Sequence, residues 1–98
     1  MPEILKSIHG FEWDEGNSGK NEQKHGVTDR EAEEIFFNKP LLIGRSQKGA
    51  PEVRYAALGK TYGSRFLPVV FTIRSRRIRV ISARPMSKKE RKLYEEEK

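Results

Sequence analysis

The sequence contains no cysteine. A disulfide framework and any thiolate zinc site are therefore excluded. Its two histidines, His9 and His25, are too few for a metal site without several carboxylates beside them. No apolar run approaches the ~20 residues that a bilayer span needs. No signal-peptide pattern opens the chain, so the expectation is a soluble, cytoplasmic protein without a membrane partner. The readable nucleic-acid signatures are missing too. There is no zinc-finger spacing, no aromatic-rich RRM strand, no glycine-rich KH loop and no Walker-type phosphate loop.

What is present is charge, unevenly spread. The 98 residues leave room for one domain, 1–98, with residues 1–7 expected to be loosely held. Residues 1–53 hold seven Lys/Arg and ten Asp/Glu, a net of −3, while residues 54–98 hold thirteen and four, a net of +9. A basic half of this kind is an electrostatic footprint for a polyanion. A solvated basic surface with no partner competes closely with that reading.

Local patterns predict an α+β chain. Ile8 to Trp13 alternates weakly and places Phe11 and Trp13 on one face of a short strand. Asp14 is the expected N-cap of a helix over 15–25, ended by Gly26. Thr28-x-x-Glu31 is a capping box opening a second helix to Phe37, with Ala32, Ile35 and Phe36 toward the core. Short strands follow at 41–43, 53–61, 65–74 and 77–84, joined by connections that favour an antiparallel meander. The stretch 44–51 reads as a polar loop and the expected mobile segment. Pro68 suggests an edge or a bulge. Ser87-x-x-Glu90 is a second capping box, opening a C-terminal helix.

Candidate functional residues gather near the C-terminus. Simple alternation turns Arg77, Arg79, Ile81 and Ala83 one way and Ile78, Val80, Ser82 and Arg84 the other. Arginine binds phosphate through a planar fork and stays charged, although a strand face dressed in arginine also blocks edge pairing. Glu90 and Tyr94 lie one turn apart on the last helix. A capping role competes for Glu90 and a half-buried anchor role for Tyr94. Arg54 could add a phosphate contact and Tyr55 a stacking ring, though Tyr55 fits the core equally. His25 reads as a cap or core contact.

These residues, taken in order, resemble the BrnT toxin family. The first half carries Phe11-x-Trp13-Asp14, Asn21-x-x-Lys24-His25-Gly26-Val27, Glu31 to Phe36, and Pro40. The second carries Arg54-Tyr55, Leu58-Gly59, Val69-Val70-Phe71-Thr72, Arg79 to Arg84, and Glu90-x-x-x-Tyr94. The resemblance implies a RelE-like fold, with helices on one face of an antiparallel β-meander and a C-terminal helix. It implies a bacterial type II toxin that cleaves RNA, blocks translation and is neutralised by a BrnA-type antitoxin in a hetero-oligomer. Carried over by position, the strand-end basic residue is Arg84, with Arg79 before it, and the helix pair is Glu90 and Tyr94. Three positions depart from the pattern. Pro85 stands where a second basic residue is usual, Asn17 stands where a basic residue follows the Trp-Asp pair, and 44–51 is basic where an acidic loop is common.

The resulting expectation is a metal-independent, cofactor-free endoribonuclease. Arg79 and Arg84 would stabilise the charged phosphorane, and Glu90 or Tyr94 would act as base with the other orienting or donating. Arg54, Arg77, Lys88 and Lys89 would bind RNA, with ribosome-associated mRNA as one form of the substrate. The alternatives are a non-catalytic RNA- or ribosome-binding module, using the same arginines only for counterion release, and an interaction domain for an acidic protein partner.

Overall fold

The computed structural model describes residues 5–46 and 52–97. Its centre is a five-stranded mixed sheet. The strands are β1 (Gly10–Phe11), β2 (Leu42–Ser46), β3 (Arg54–Lys60), β4 (Phe66–Arg74) and β5 (Arg77–Ala83), arranged in the order β1-β5-β4-β3-β2. The strands β2 to β5 form the expected antiparallel meander. The expected all-antiparallel sheet is corrected at its edge, where β1 lies parallel to β5, pairing Gly10 with Arg77 and Phe11 with Ile78. Partners 67 positions apart in the chain, Gly10 with Arg77 and Phe11 with Ile78, are free to pair in either sense, because no short turn constrains them.

The helices are α1 (Lys20–His25), α2 (Asp29–Glu34), which runs on as a 3-10 turn over Ile35–Phe37, and α3 (Lys88–Glu96). Both capping boxes are formed, Thr28 with Glu31 and Ser87 with Glu90. The first helix is shorter than expected. Asn17, Ser18 and Gly19 are poor helix formers, so residues 14–19 make turns instead, and Gly19 enters α1 with φ 74°. Asp14 therefore caps no helix; its Oδ1 accepts the Gly16 amide at 2.8 Å. The predicted loop at 44–51 begins as strand through Ser46, and its residues 47–51 lie outside the described residues.

One face of the sheet carries Ala57, Leu67, Val69, Phe71, Ile78, Val80 and Ala83 against Val27, Ala32, Ile35 and Phe36 of the α1–α2 region, all buried. Ala32, Ile35 and Phe36 point inward as their spacing predicts. Phe36 meets Phe71 edge-on at 5.1 Å and Phe11 at 5.7 Å. Trp13 packs at the margin and donates its indole N–H to Glu33 at 2.6 Å. Gly59 makes this layering possible. A Cβ there would sit 2.8 Å from the Ile35 Cβ and 3.3 Å from the Ile35 carbonyl oxygen, so only glycine lets the helix lie so close to β3.

The last helix crosses to the opposite face. Tyr94 is completely buried against Phe66, with ring centroids 5.7 Å apart, and the Arg91 guanidinium lies 4.4 Å over the same ring. Pro68 lies opposite Leu58 of β3 but one residue beyond the last β4–β5 pair, Val69 with Ala83, so its β5 side is locally an edge, and a bulge follows two residues on at Val70–Phe71. It is tolerated because β5 has ended at Ala83, and only the Pro68 carbonyl is used, by the Arg84 amide at 3.4 Å.

Replacing Gly59 by alanine is expected to cost about 1–3 kcal/mol through overpacking. For a chain of this length that is a fall in Tm on the order of 5–20 °C, measurable by thermal melting; an unchanged Tm would contradict the close approach to Ile35.

Candidate functional site

Strand β5 departs from simple alternation at one residue. Val70 faces Ser82, but Phe71 faces Val80, so Ile81 is an extra residue, a β-bulge. The strand's outer edge shows the same change of phase. The carbonyls of Arg76, Ile78 and Val80, every second residue, accept from the His9 amide, the Glu12 amide and the Asn17 side chain. The next outward group is the amide of Ala83, three residues on, which donates to Asn21 Oδ1 at 3.0 Å. A one-residue shift turns all later side chains to the other face. Ala83 is therefore buried with Ile78 and Val80, which corrects the expectation that it shares a face with Arg77 and Arg79. Arg84 is turned the opposite way, onto the face that α3 partly covers.

There Arg84 meets Glu90. Its Nη1 and Nη2 each donate to one carboxylate oxygen at 2.8 Å, a two-pronged pair. Glu90 also accepts the Ser87 amide at 2.8 Å and donates its own amide to Ser87 Oγ at 3.2 Å. It thus closes its capping box and holds the arginine at once. The pair is open to solvent, with 42% of the Arg84 and 27% of the Glu90 side chain exposed. The Arg84 guanidinium above all, helped by the Ser87 amide and against the effect of burial, holds the Glu90 carboxyl down at about 2. Arg84 is correspondingly raised by Glu90. Pro85, in place of a second basic residue, accepts from Arg84 Nη1 at 3.2 Å. Lys88 and Lys89 are exposed in the same helical turn.

The other candidates are placed differently. Tyr94 is one turn from Glu90, but its ring is buried and its hydroxyl donates to the Pro40 carbonyl. Burial raises its pKa. The geometry is that of an anchor for α3, away from any exposed proton-transfer position. Arg79 is 14% exposed and already engaged, donating to both Asp14 oxygens and to Glu12, each at 3.0 Å. Hydrogen bonding to Asp14 leads the causes that raise Arg79, and the same bond lowers Asp14. Arg54, Thr72 and Arg79 line a small polar pocket on the face of Arg84, and the Arg54 Nε is buried there without a hydrogen-bond partner among the described residues. Arg77 is exposed beside the β4–β5 turn, at the other end of β5 from Arg84. Tyr55 stacks on Phe71 at 5.5 Å, a core role, and His25 is exposed in the last turn of α1. No group of three His, Asp or Glu side chains among the described residues is arranged to hold a metal ion.

The sequence marks Asn21 only through the family pattern and Asn17 only as a departure from it; the structure gives both a function in the fold. Both are buried, at 5% exposure. Asn17 accepts the Asp14 amide at 2.9 Å and donates to the carbonyls of Glu12 and Val80 at 3.0 and 3.1 Å. The available signal was two amide side chains four residues apart in a segment too polar and too glycine-rich to be a good helix.

The folded-state lowering of Glu90 fixes a sign. Its stabilisation is present above the ordinary carboxylate value near 4.5 and is lost as pH falls through about 2. Glu90→Gln, which keeps the capping acceptor, should be less stable than the parent by about 1 kcal/mol at neutral pH. That gap should close between pH 5 and 2 in paired thermal melts; a gap independent of pH would show that the pair contributes nothing.

No curated protein matches the chain. The profile of the family described as ribonuclease toxin, BrnT, of type II toxin-antitoxin system matches residues 13–90. That match takes in β1's following segment, all of the bulged strand and the Arg84–Glu90 pair, and with it the chain belongs to the BrnT family of ribonuclease toxins of type II toxin–antitoxin systems.

Proposed function

We propose that this chain is a metal-independent endoribonuclease on a RelE-like fold. In this reading it is a cytoplasmic toxin that cleaves mRNA, so stopping translation, and is silenced by a BrnA-type antitoxin in a hetero-oligomer. Family membership already implies an antitoxin partner and ribonuclease activity. The observation that carries the finer reading is the solvent-open Arg84–Glu90 pair beside two exposed lysines.

In the proposed reaction the scissile phosphate takes the Arg84 fork, which suits two phosphate oxygens as well as a carboxylate. Glu90, released from its cation, accepts the 2′-hydroxyl proton. The 2′-oxygen bonds to phosphorus as the bond from phosphorus to the 5′-oxygen breaks; the departing 5′-oxygen takes a proton from solvent, to which Glu90 returns the one it accepted, leaving a 2′,3′-cyclic phosphate and a 5′-hydroxyl. Arg84, with Lys88 and Lys89, stabilises the charge that develops on the phosphorane. Arg79 is assigned here to holding the Asp14 turn, and Tyr94 to anchoring α3, in place of the direct roles that the family pattern suggests. Arg54 and Arg77 extend the cationic path for the strand.

Arg84→Ala is expected to lose a hundredfold or more in RNA cleavage, as removal of one preorganised charge donor typically does, on the order of 10²–10³, and to relieve growth arrest when the chain is induced alone. Cleavage and arrest equal to the parent's would sink the assignment; full RNA affinity with no product from the parent would instead favour a binding module. Tyr94→Phe separates the two roles of the phenol. As an anchor it should lose about 1 kcal/mol of stability and keep its cleavage rate within about threefold, whereas a catalytic phenol would show the reverse.

A further inference from the structure

The edge of β5 is gripped on both sides of the bulge by side chains rather than by a strand. Asn17 Nδ2 holds the Val80 carbonyl at 3.1 Å, and Asn21 Oδ1 holds the Ala83 amide at 3.0 Å. Both asparagines are buried and both bonds are buried. The strand β1 cannot perform this task, since its pairing with β5 ends at Phe11 and Ile78. Without Asn21 the Ala83 amide would be an orphan donor inside the protein. The chain's escape from that cost is to slip by one residue toward regular alternation. Such a slip would turn the strand end over and take Arg84 off the face it shares with Glu90.

We infer that Asn21, with Asn17, is a positioning residue of the ribonuclease site: the two amides lock the Ile81 bulge and thereby aim Arg84 at Glu90. This rests on the role given to Arg84 above. Neither asparagine touches Arg84 in the hydrogen-bond network, so each acts through the strand. The atoms used differ between them. Asn21 uses only its oxygen in holding the strand, as acceptor. Asn17 uses its oxygen as acceptor and its nitrogen as donor to two carbonyls. A carboxylate can replace the first and cannot replace the second, because it has no donor and would set oxygen against oxygen.

The test compares Asn21→Ala, Asn21→Asp and Asn17→Asp with the parent, each checked for folding by circular dichroism. Two properties are read. One is the ionisation of Glu90 at pH 3.5, from its side-chain carboxyl ¹³C shift. The other is kcat and KM on a short RNA at pH 7. In the parent Glu90 should be ionised at pH 3.5; in Asn21→Ala and Asn17→Asp, with Arg84 withdrawn and only Ser87 left to hold it, it should be clearly more protonated than in the parent. Those two variants should also lose on the order of a hundredfold in kcat, the scale of an ångström-sized misplacement. Asn21→Asp should retain both parental properties. In an Arg84→Ala background, Asn21→Ala should cost nothing further in kcat, since the group it aims is gone.

A folded Asn21→Ala in which Glu90 stays ionised at pH 3.5 overturns the inference, and so does an Asn21→Asp no better than alanine. Should Asn21→Ala fail to fold, Asn21→Ser, whose hydroxyl is too short to reach the Ala83 amide, takes its place with the same criteria. If Glu90 responds as described but Arg84→Ala still cleaves RNA, the positioning stands and the ribonuclease role of Arg84 falls.

Discussion

The edge of β5 that β1 covers only as far as Ile78 is the constraint on which the rest of the arrangement depends. A strand edge without a neighbour along part of its length exposes a row of amides and carbonyls that must be satisfied. Here the N-terminal segment satisfies them one after another, by His9, Glu12, Asn17 and Asn21. The spacing of those donors and acceptors does not match a regular strand beyond Val80. The strand accommodates them by admitting Ile81 as an extra residue. From that one misfit follow the burial of Ala83, the exposure of Arg84 on the far face and its meeting with Glu90. A local fault in the ladder is what places a core residue and a charged one side by side at the end of the same strand.

The charge asymmetry of the sequence has an intramolecular component. Arg65 holds Glu31, Arg74 holds Glu52 and lies 3.9 Å from Glu12, and Arg79 holds Glu12 and Asp14. Each of these pairs joins a cation of the basic half to a carboxylate of the acidic half. Part of what composition alone presents as a polyanion footprint is thus the adhesive between the two halves of the fold. The pairs are half-open to water and each stabilises modestly, but they leave a different set of cations for an outside anion. Lys88, Lys89 and Arg77 are exposed, and Arg54 keeps a donor without a partner among the described residues. The excess of +6 over the whole chain is carried by groups like these.

Features written in adjacent residues were legible in the sequence. The capping boxes at Thr28 and Ser87, the buried stripe of Ala32, Ile35 and Phe36, and the strands over 54–60 and 66–74 all depend on neighbours within a few positions. Features set by distant partners were not. Alternation placed Ala83 with the arginines because nothing near Ile81 announces a bulge; its cause sits 62 and 63 residues away in Asn21 and Asn17. Arg79 reads as a free phosphate ligand until Asp14, 65 residues earlier, is folded onto it. Tyr94 reads as a half-buried anchor or, through the family pattern, as Glu90's catalytic partner, and what decides for the anchor geometry is Pro40, 54 residues earlier, which takes its hydroxyl. The helix expected over 15–25 forms only from Lys20 to His25, ending at Gly26 as expected, and its first half is lost for a local reason, the run of Asn17, Ser18 and Gly19, whose propensity outweighed the capping signal at Asp14.

The resting geometry of Arg84 and Glu90 bears on how such a site would work. A carboxyl held at about 2 is a poor base at neutral pH, since general bases are most effective with values nearer the working pH. The same guanidinium that weakens it is the group best suited to a phosphate. One fork grips one two-pronged anion at a time, so phosphate and Glu90 compete for Arg84. In the proposed reaction, a phosphate that wins removes the chief cause of the lowering, and the carboxylate recovers basicity when a 2′-hydroxyl is beside it. Ser87 keeps the released carboxylate from wandering, because its amide bond to Glu90 is independent of Arg84. In that reaction the capping box would have a use beyond helix stability: it would hold the base still while its cation changes partners.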